Sequence, residues 1–264
     1  MNSVKLWLSQ LIAVLCIANS ITHHTWAVMS IDPSRETLAQ LYDAGLVQDQ
    51  QPVRLHLGCG QAYISGYINI DFPSTEHTVQ AYSVADAHAD ITRLNFPANS
   101  IDVIESHHIF EHFDRQTALA LLCAWHTWLK PGGMLIIETP DFEASIAVIM
   151  SSKVPYKQKQ VSLRHIFGSH EAYWAYHYDG WYKSKFEHVL GSLGFCRITC
   201  KPLRYNPLIP SILVQAHKMN NLPIDTLKQT SKTILRDSMV DEGDASMWSV
   251  WCQTFDKAMS KLHI

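Results

Sequence analysis

LHLGCGQAYISGYINID, residues 55–71, decides the fold. An apolar run ends in two glycines around a cysteine, and an aspartate closes a second short apolar run. Residues 53–57 (VRLHL) read as a strand ending at Gly58, and residues 67–71 (YINID) as a second strand. Glycine lets the backbone turn tightly and come close to a ligand. In a parallel sheet, ligands bind beyond the carboxyl ends of the strands, where Gly58, Gly60 and Asp71 fall. An acidic side chain there can accept hydrogen bonds from both hydroxyls of a ribose. Only residues 61–66 separate Gly60 from the second strand. A parallel crossover needs about a dozen residues or more, so the usual first helix has no room. The stretch is either a hairpin or a parallel crossover reduced to a loop.

Working outward, strands alternate with helices, which implies a mainly parallel sheet. Residues 34–45 predict a helix capped by Ser34 and stopped by Gly45. Residues 81–85 suggest a third strand and IDVIES (101–106) a buried one. DRQTALALLCAWHTWLK (114–130) has Ala118, Leu121, Leu122, Trp125 and Leu129 at helical spacing, with Asp114 as N-cap and Pro131-Gly132-Gly133 as its end. A strand over 134–140, helices over 143–150 and 182–195, and strands over 195–200 and 211–217 follow. Residues 151–181 are rich in histidine and aromatics without a clear period. The last stretch of about 45 residues reads as two polar helices packed outside.

The chain has 264 residues, 47% of them hydrophobic, enough for one sizeable core. Its formal charge of −3, with no lysine/arginine run, argues against a nucleic-acid surface. The cysteines show no CxxC pair, and the lone CxxxC (Cys196, Cys200) straddles a strand. They read as reduced thiols of a cytoplasmic protein. The apolar residues 6–21 behind Lys5 argue the other way. They resemble a signal-peptide core or an anchor with membrane contact, and they are short for a span. The competing readings are a mis-called start, with Met29 as first residue, and a docked helix. Residues 1–28 therefore stand apart from a domain over 29–218 and a helical extension over 219–264.

Three further motifs complete the pattern. VADAHADITRLNFPANSIDVIES (84–106) sets Asp86 and Asp90 before a turn that enters a strand. IFEHF (109–113) closes that strand, and LKPGGMLIIETPDF (129–142) follows the next helix. With the glycine turn, this combination resembles the class I S-adenosylmethionine-dependent methyltransferases, in the type 11-like branch with a short LGCG…NxD segment. The resemblance covers about residues 53–217. It implies a Rossmann-like α/β fold with a seven-stranded, mainly parallel sheet, flanking helices and a helical C-terminal extension. It also implies that the glycine turn is a nucleotide-binding turn with a trimmed crossover.

The resemblance further implies S-adenosylmethionine as cofactor. Leu57, Gly58, Cys59 and Gly60 would contact its methionine and ribose part, and Asp71 would hold the ribose. Asp90 with Ile91 would lie near the adenine, with Asp86 as a rival and a capping role as the alternative for Asp90. Ser106 and His107 would end the fourth strand beside the sulfonium. For a hydroxyl acceptor, a histidine is the natural base because it titrates near neutrality. His107, His108 and His177 are the candidates. His108 and His112, four apart with Glu111 between, could present a metal pair on a helix. HEXXH is absent and a strand ends there, so no metal is expected.

HEAYWAYHYDGWYKSKF (170–186) suits a lid that stacks on a ring or sugar face, or plain core aromatics. The acceptor implied is a small molecule, or a saccharide or lipid-linked precursor. The rival readings are a non-catalytic cofactor-binding or interaction protein on the same fold, and an exported binding module with a dead site.

Overall fold

The computed structural model describes residues 28–76 and 82–264. The apolar stretch 6–21 lies outside them. Among the described residues, eight strands form one sheet in the order β1-β4-β3-β2-β5-β6-β8-β7. They are β1 (Met29–Ser30), β2 (Arg54–Leu57), β3 (Ile68–Asp71), β4 (Ala87–His88), β5 (Ile101–His107), β6 (Leu129–Pro140), β7 (Phe195–Leu203) and β8 (Ser211–Lys218). Only β8 runs antiparallel to its neighbours. The expected seven strands are thus eight. The additional one is the two-residue β1, which pairs with β4 at the sheet edge.

Strands β2 and β3 pair in parallel, and residues 58–67 between them contain no helix. The opening stretch is therefore a crossover reduced to a loop and not a hairpin. Asn69 holds that loop. Its Oδ1 accepts the Ile64 N–H at 2.9 Å, and its Nδ2 donates to the Ile64 and Tyr67 carbonyls at 3.1 Å each. A buried amide that supplies the loop with these bonds replaces what a helix would satisfy internally.

One face of the sheet is apolar and covered. Leu55, Leu57, Ile104 and Ile137 pack there with helix α2 (Arg115–Trp128), whose Trp125 and Trp128 are wholly buried. Each indole contributes about 4–6 kcal/mol of gross hydrophobic gain. Asp114 caps α2 as expected, its Oδ1 accepting the Thr117 N–H at 2.7 Å. The alternate residues His56, Glu105, His107 and Glu138 point to the other face. Strands buried on both faces read as unbroken apolar runs. These polar positions fit a face that lacks the first crossover helix.

The remaining helices are α1 (Thr37–Asp43), α3 (Phe142–Met150), α4 (Tyr156–Phe167), α5 (Lys183–Ser192), α6 (Ile224–Arg236) and α7 (Ala245–Lys261). Helices α6 and α7 pack on α2, and Leu227, Leu235, Phe255 and Met259 join the core. No described helix is long and apolar enough to cross a membrane.

Several local expectations change. Glu36, and not Ser34, caps α1, accepting the Ala39 N–H at 3.0 Å, while the Ser34 hydroxyl is drawn to Asp32 at 2.7 Å. The strand expected at 81–85 is instead Ala87–His88; the described residues 82–85 carry no strand, and residue 81 lies outside the described residues. Pro131-Gly132-Gly133 lies inside β6 and does not end α2, which stops at Trp128. Residues 156–167, without a legible period, form α4.

Candidate active site

The glycine turn at the end of β2 is fastened to β3. The Gly58 and Cys59 N–H groups donate to the Ile70 carbonyl at 2.8 and 3.2 Å, and the Gly60 N–H donates to Asp71 Oδ2 at 2.5 Å. Gly58 has φ +70°, and a Cβ there would meet Ile109 Cδ1 at 2.0 Å. Gly60 has φ +53°, and a Cβ would meet nothing within 4 Å. The first glycine therefore serves packing, and the second leaves open space. Asp71 is 6% exposed, and its Oδ1 accepts the Phe72 N–H at 2.7 Å.

Gly58, Gly60 and Asp71 line a cavity of about 810 Å³. Asp90, Ile91 and His108 line it too. So do His112, Tyr173, Trp174 and Tyr178 on one side and Ala258, Lys261 and Leu262 of the α7 end on the other. Asp90 also caps a short turn, its Oδ1 accepting the N–H and hydroxyl of Thr92 at 2.9 and 2.7 Å. The open cradle at Gly60, a carboxylate at the next strand end and an apolar wall at Ile91 suit a nucleoside-type cofactor.

Other sequence candidates stand off the cavity. Leu57 is buried in the apolar core. Cys59 is buried beside Asp71, and burial followed by that charge pushes its thiol up to about 12, so it is no nucleophile. Asp86 is a structural partner, accepting from the Asn69 backbone and side chain at 2.8 and 3.0 Å. Ser106 faces the core beside Leu57 and Ile137, its Oγ buried without a hydrogen-bond partner among the described residues.

The histidines form a charge-alternating chain. His107 lies between Glu105 Oε1 and Glu138 Oε2, each at 2.8 Å from a ring nitrogen. Both nitrogens face carboxylates, so both donate, and the Glu105 bond foremost lifts its pKa to about 9. The His107 bond, and after it the His108 bond, pulls Glu138 down to about 2. His108 stands at φ +52°, a left-handed conformation in which histidine is several-fold enriched. Its Nδ1 lies 3.2 Å from Glu111 Oε1 and its Nε2 3.3 Å from Glu138 Oε1. Burial presses its pKa down, but the two carboxylates outweigh that and raise it to about 10.

His107 and His108 are therefore imidazolium ions near neutrality, contrary to the titration expected of a base. His177 differs, because burial lowers it to about 4 and keeps it neutral. It lies behind the cavity wall, its ring edge-on to His112 at 4.7 Å between centroids. The aromatic lid is split. Trp181 is core, against Phe110 and Phe186, whereas Trp174 and Tyr178 line the cavity. Lys261 and Leu262 carried no signal in the sequence, because a polar C-terminal helix names no ligand.

The fold is an α/β sheet with a cavity at the carboxyl ends of β2 and β3. Residues 55–137 match the family model described as "Methyltransferase domain". Over these residues the chain is similar to that family. No curated protein matches the chain. Among solved structures it is similar to a "possible exported protein" of Bordetella parapertussis, at 14% identity and TM-score 0.42 over 69% of this chain and 67% of that one. It is also similar to the Burkholderia thailandensis 1,6-didemethyltoxoflavin-N1-methyltransferase, at 13% and 0.43 over 69% and 76%. The CurJ carbon methyltransferase is matched at 16% and 0.41 over 66% of this chain, which spans half of that structure's length.

Proposed function

We propose that the 810 Å³ cavity holds S-adenosylmethionine against the glycine turn and a small-molecule or saccharide-type acceptor against the aromatic wall. The observation that carries this reading is the continuity of one cavity from Gly60 and Asp71 to His108, Trp174 and Tyr178. The cofactor supplies an activated methyl on a sulfonium. Asp71 would accept the ribose hydroxyls, and the open space at Gly60 would let the backbone approach. Asp90 and Ile91 would border the adenine together with Leu262. The indole of Trp174 and the ring of Tyr178 would bear on the acceptor's flat face. Alignment is the protein's main contribution to such a transfer.

His108 would act as a fixed cation that orients an electron-rich or anionic group of the acceptor. His107 would hold Glu138, and through it His108, in place. Neither ring is suited to take a proton at neutral pH.

Calorimetric titration with S-adenosylmethionine and S-adenosylhomocysteine tests the reading. Micromolar binding is expected, weakened by tenfold to a hundredfold in Asp71→Ala, the range of about 1.5–3 kcal/mol for hydrogen bonds to a charged group. A folded protein that binds neither compound would overturn the cofactor assignment. Binding without transfer to any small-molecule or saccharide acceptor would favour the non-catalytic alternative.

A further inference from the structure

Behind the acceptor wall three potential metal ligands converge. A carboxylate oxygen of Glu111 and one ring nitrogen each of His112 and His177 lie within 4.8 Å of one another. The backbone places them. Glu111 and His112 sit on the short turn Phe110–His112 that ends β5, and His177 comes from the stretch after α4. The Tyr178 N–H donates to the Glu111 carbonyl at 2.9 Å and clips the two segments together.

The two rings are prepared alike. His112 Nδ1 lies 3.0 Å from the Tyr176 carbonyl, and His177 Nδ1 lies 3.0 Å from the His165 carbonyl. A carbonyl only accepts, so both Nδ1 atoms carry the proton and both Nε2 atoms keep a lone pair. This is how outer-shell carbonyls commonly orient metal-binding histidines. His177 Nε2 lies 4.0 Å from Glu111 Oε1, too far for a hydrogen bond.

The carboxylate gives an independent sign. Glu111 is 2% exposed, and its Oε1 takes His108, but Oε2 is buried without a hydrogen-bond partner among the described residues. Leaving a buried carboxylate oxygen unsatisfied is costly. A cation between these three groups would remove that cost.

We propose that Glu111, His112 and His177 bind one divalent transition-metal ion, of the kind that favours imidazole and carboxylate, such as Zn²⁺, Co²⁺ or Fe²⁺. Binding draws the ligand atoms inward from their present spacing, because nitrogen and oxygen bond these ions at about 2.0–2.2 Å. Three protein ligands leave a further position open, and His112 borders the acceptor side of the cavity. If the methyl-transfer reading holds, an oxygen of the acceptor would take that position.

The test needs no cofactor. Full-length protein is stripped with a chelator and titrated with Co²⁺ by visible absorption and with Zn²⁺ by calorimetry. One ion per chain is expected. His177→Ala and Glu111→Gln should each weaken binding by at least ~100-fold, since even outer-shell changes cost 10–100-fold. His112→Ala, at a half-buried position, is the second variant should His177→Ala fail to fold. Circular dichroism reports folding, and S-adenosylmethionine titration reports the cofactor half separately. A folded wild type that takes no Co²⁺, or metal uptake unchanged in the folded His112→Ala protein, overturns the proposal. Loss of cofactor binding alone, with metal binding kept, would count against the methyltransferase reading and leave the metal site standing.

Discussion

Asn69 donates twice to one oxygen: its backbone N–H and its side-chain Nδ2 meet Asp86 Oδ2 at 2.8 and 3.0 Å. The same amide holds the Ile64 and Tyr67 backbone and faces His56 Nδ1 at 3.0 Å. Asn69→Ala would leave Asp86, His56 and the 58–67 loop short of partners. A loss of about 3 kcal/mol or more is expected, well above the cost of a surface change. Denaturant unfolding measures it, and a midpoint within error of wild type would show that the loop holds itself.

The two glycines of the turn separate stability from binding. Gly58→Ala collides with Ile109 and needs a positive φ, so it should destabilise by about 2–4 kcal/mol. Gly60→Ala faces open space and carries only the backbone term of about 1–2 kcal/mol, but its methyl enters the cavity. Melting temperature should fall most in Gly58→Ala. Cofactor affinity, measured on folded protein, should fall tenfold or more in Gly60→Ala.

The Glu138–His107 pair predicts a pH window. Glu138 falls from an ordinary 4.5 to about 2, so its stabilisation is present above 4.5 and is lost as pH drops towards 2. His107 rises from 6.5 to about 9, so its contribution is complete below 6.5 and is lost as pH rises through 9. Glu138→Gln removes the gain of Glu138 itself and the part of the His107 gain that Glu138 supplies, while the larger part, from Glu105, stays. The stability gap between wild type and variant, from chemical denaturation, should therefore be widest between pH 4.5 and 6.5. It should narrow towards pH 2–3 and towards pH 9–10. A gap that is flat over this range would refute the assignment of these charges.

The end of α7 should tune the cofactor half. Lys261 is exposed and borders the cavity, so Lys261→Ala should leave the melting temperature unchanged and weaken cofactor binding by up to about fivefold. Leu262→Asp places a charge at a site only 1% exposed and should cost both stability and binding. Equal affinity in wild type and Leu262→Asp would remove α7 from the site.

Much of this architecture is legible in the sequence where a local pattern dictates the backbone. The runs VRLHL and YINID, each closed by a turn or an acid, give β2 and β3, and Asp114 before a helical stripe gives α2. The parallel pairing of β2 and β3 is not readable locally, because the loop length alone leaves a hairpin open. Strand β1 has two residues and no period. Pro131-Gly132-Gly133 carries the chemistry of a helix stop yet lies within β6, whose register with β5 shifts between Ile101 and Val103. The glycine-turn side of the cavity follows from strand ends. The histidine side does not, because His107 and His108, neighbours on the chain, share Glu138 of β6 and then part to Glu105 of β5 and to Glu111 of the turn.

The cavity's walls come from residue 58 at one extreme and residue 262 at the other. During synthesis the glycine turn and the sheet centre emerge early, but the last wall leaves the ribosome only with the end of α7. Chains that stop short would carry the glycine turn and Asp71 without a finished pocket. On the proposed reading, cofactor binding doubles as a mark of a polypeptide made through α7, and a cofactor-analogue resin would retain such protein over fragments that stop before it.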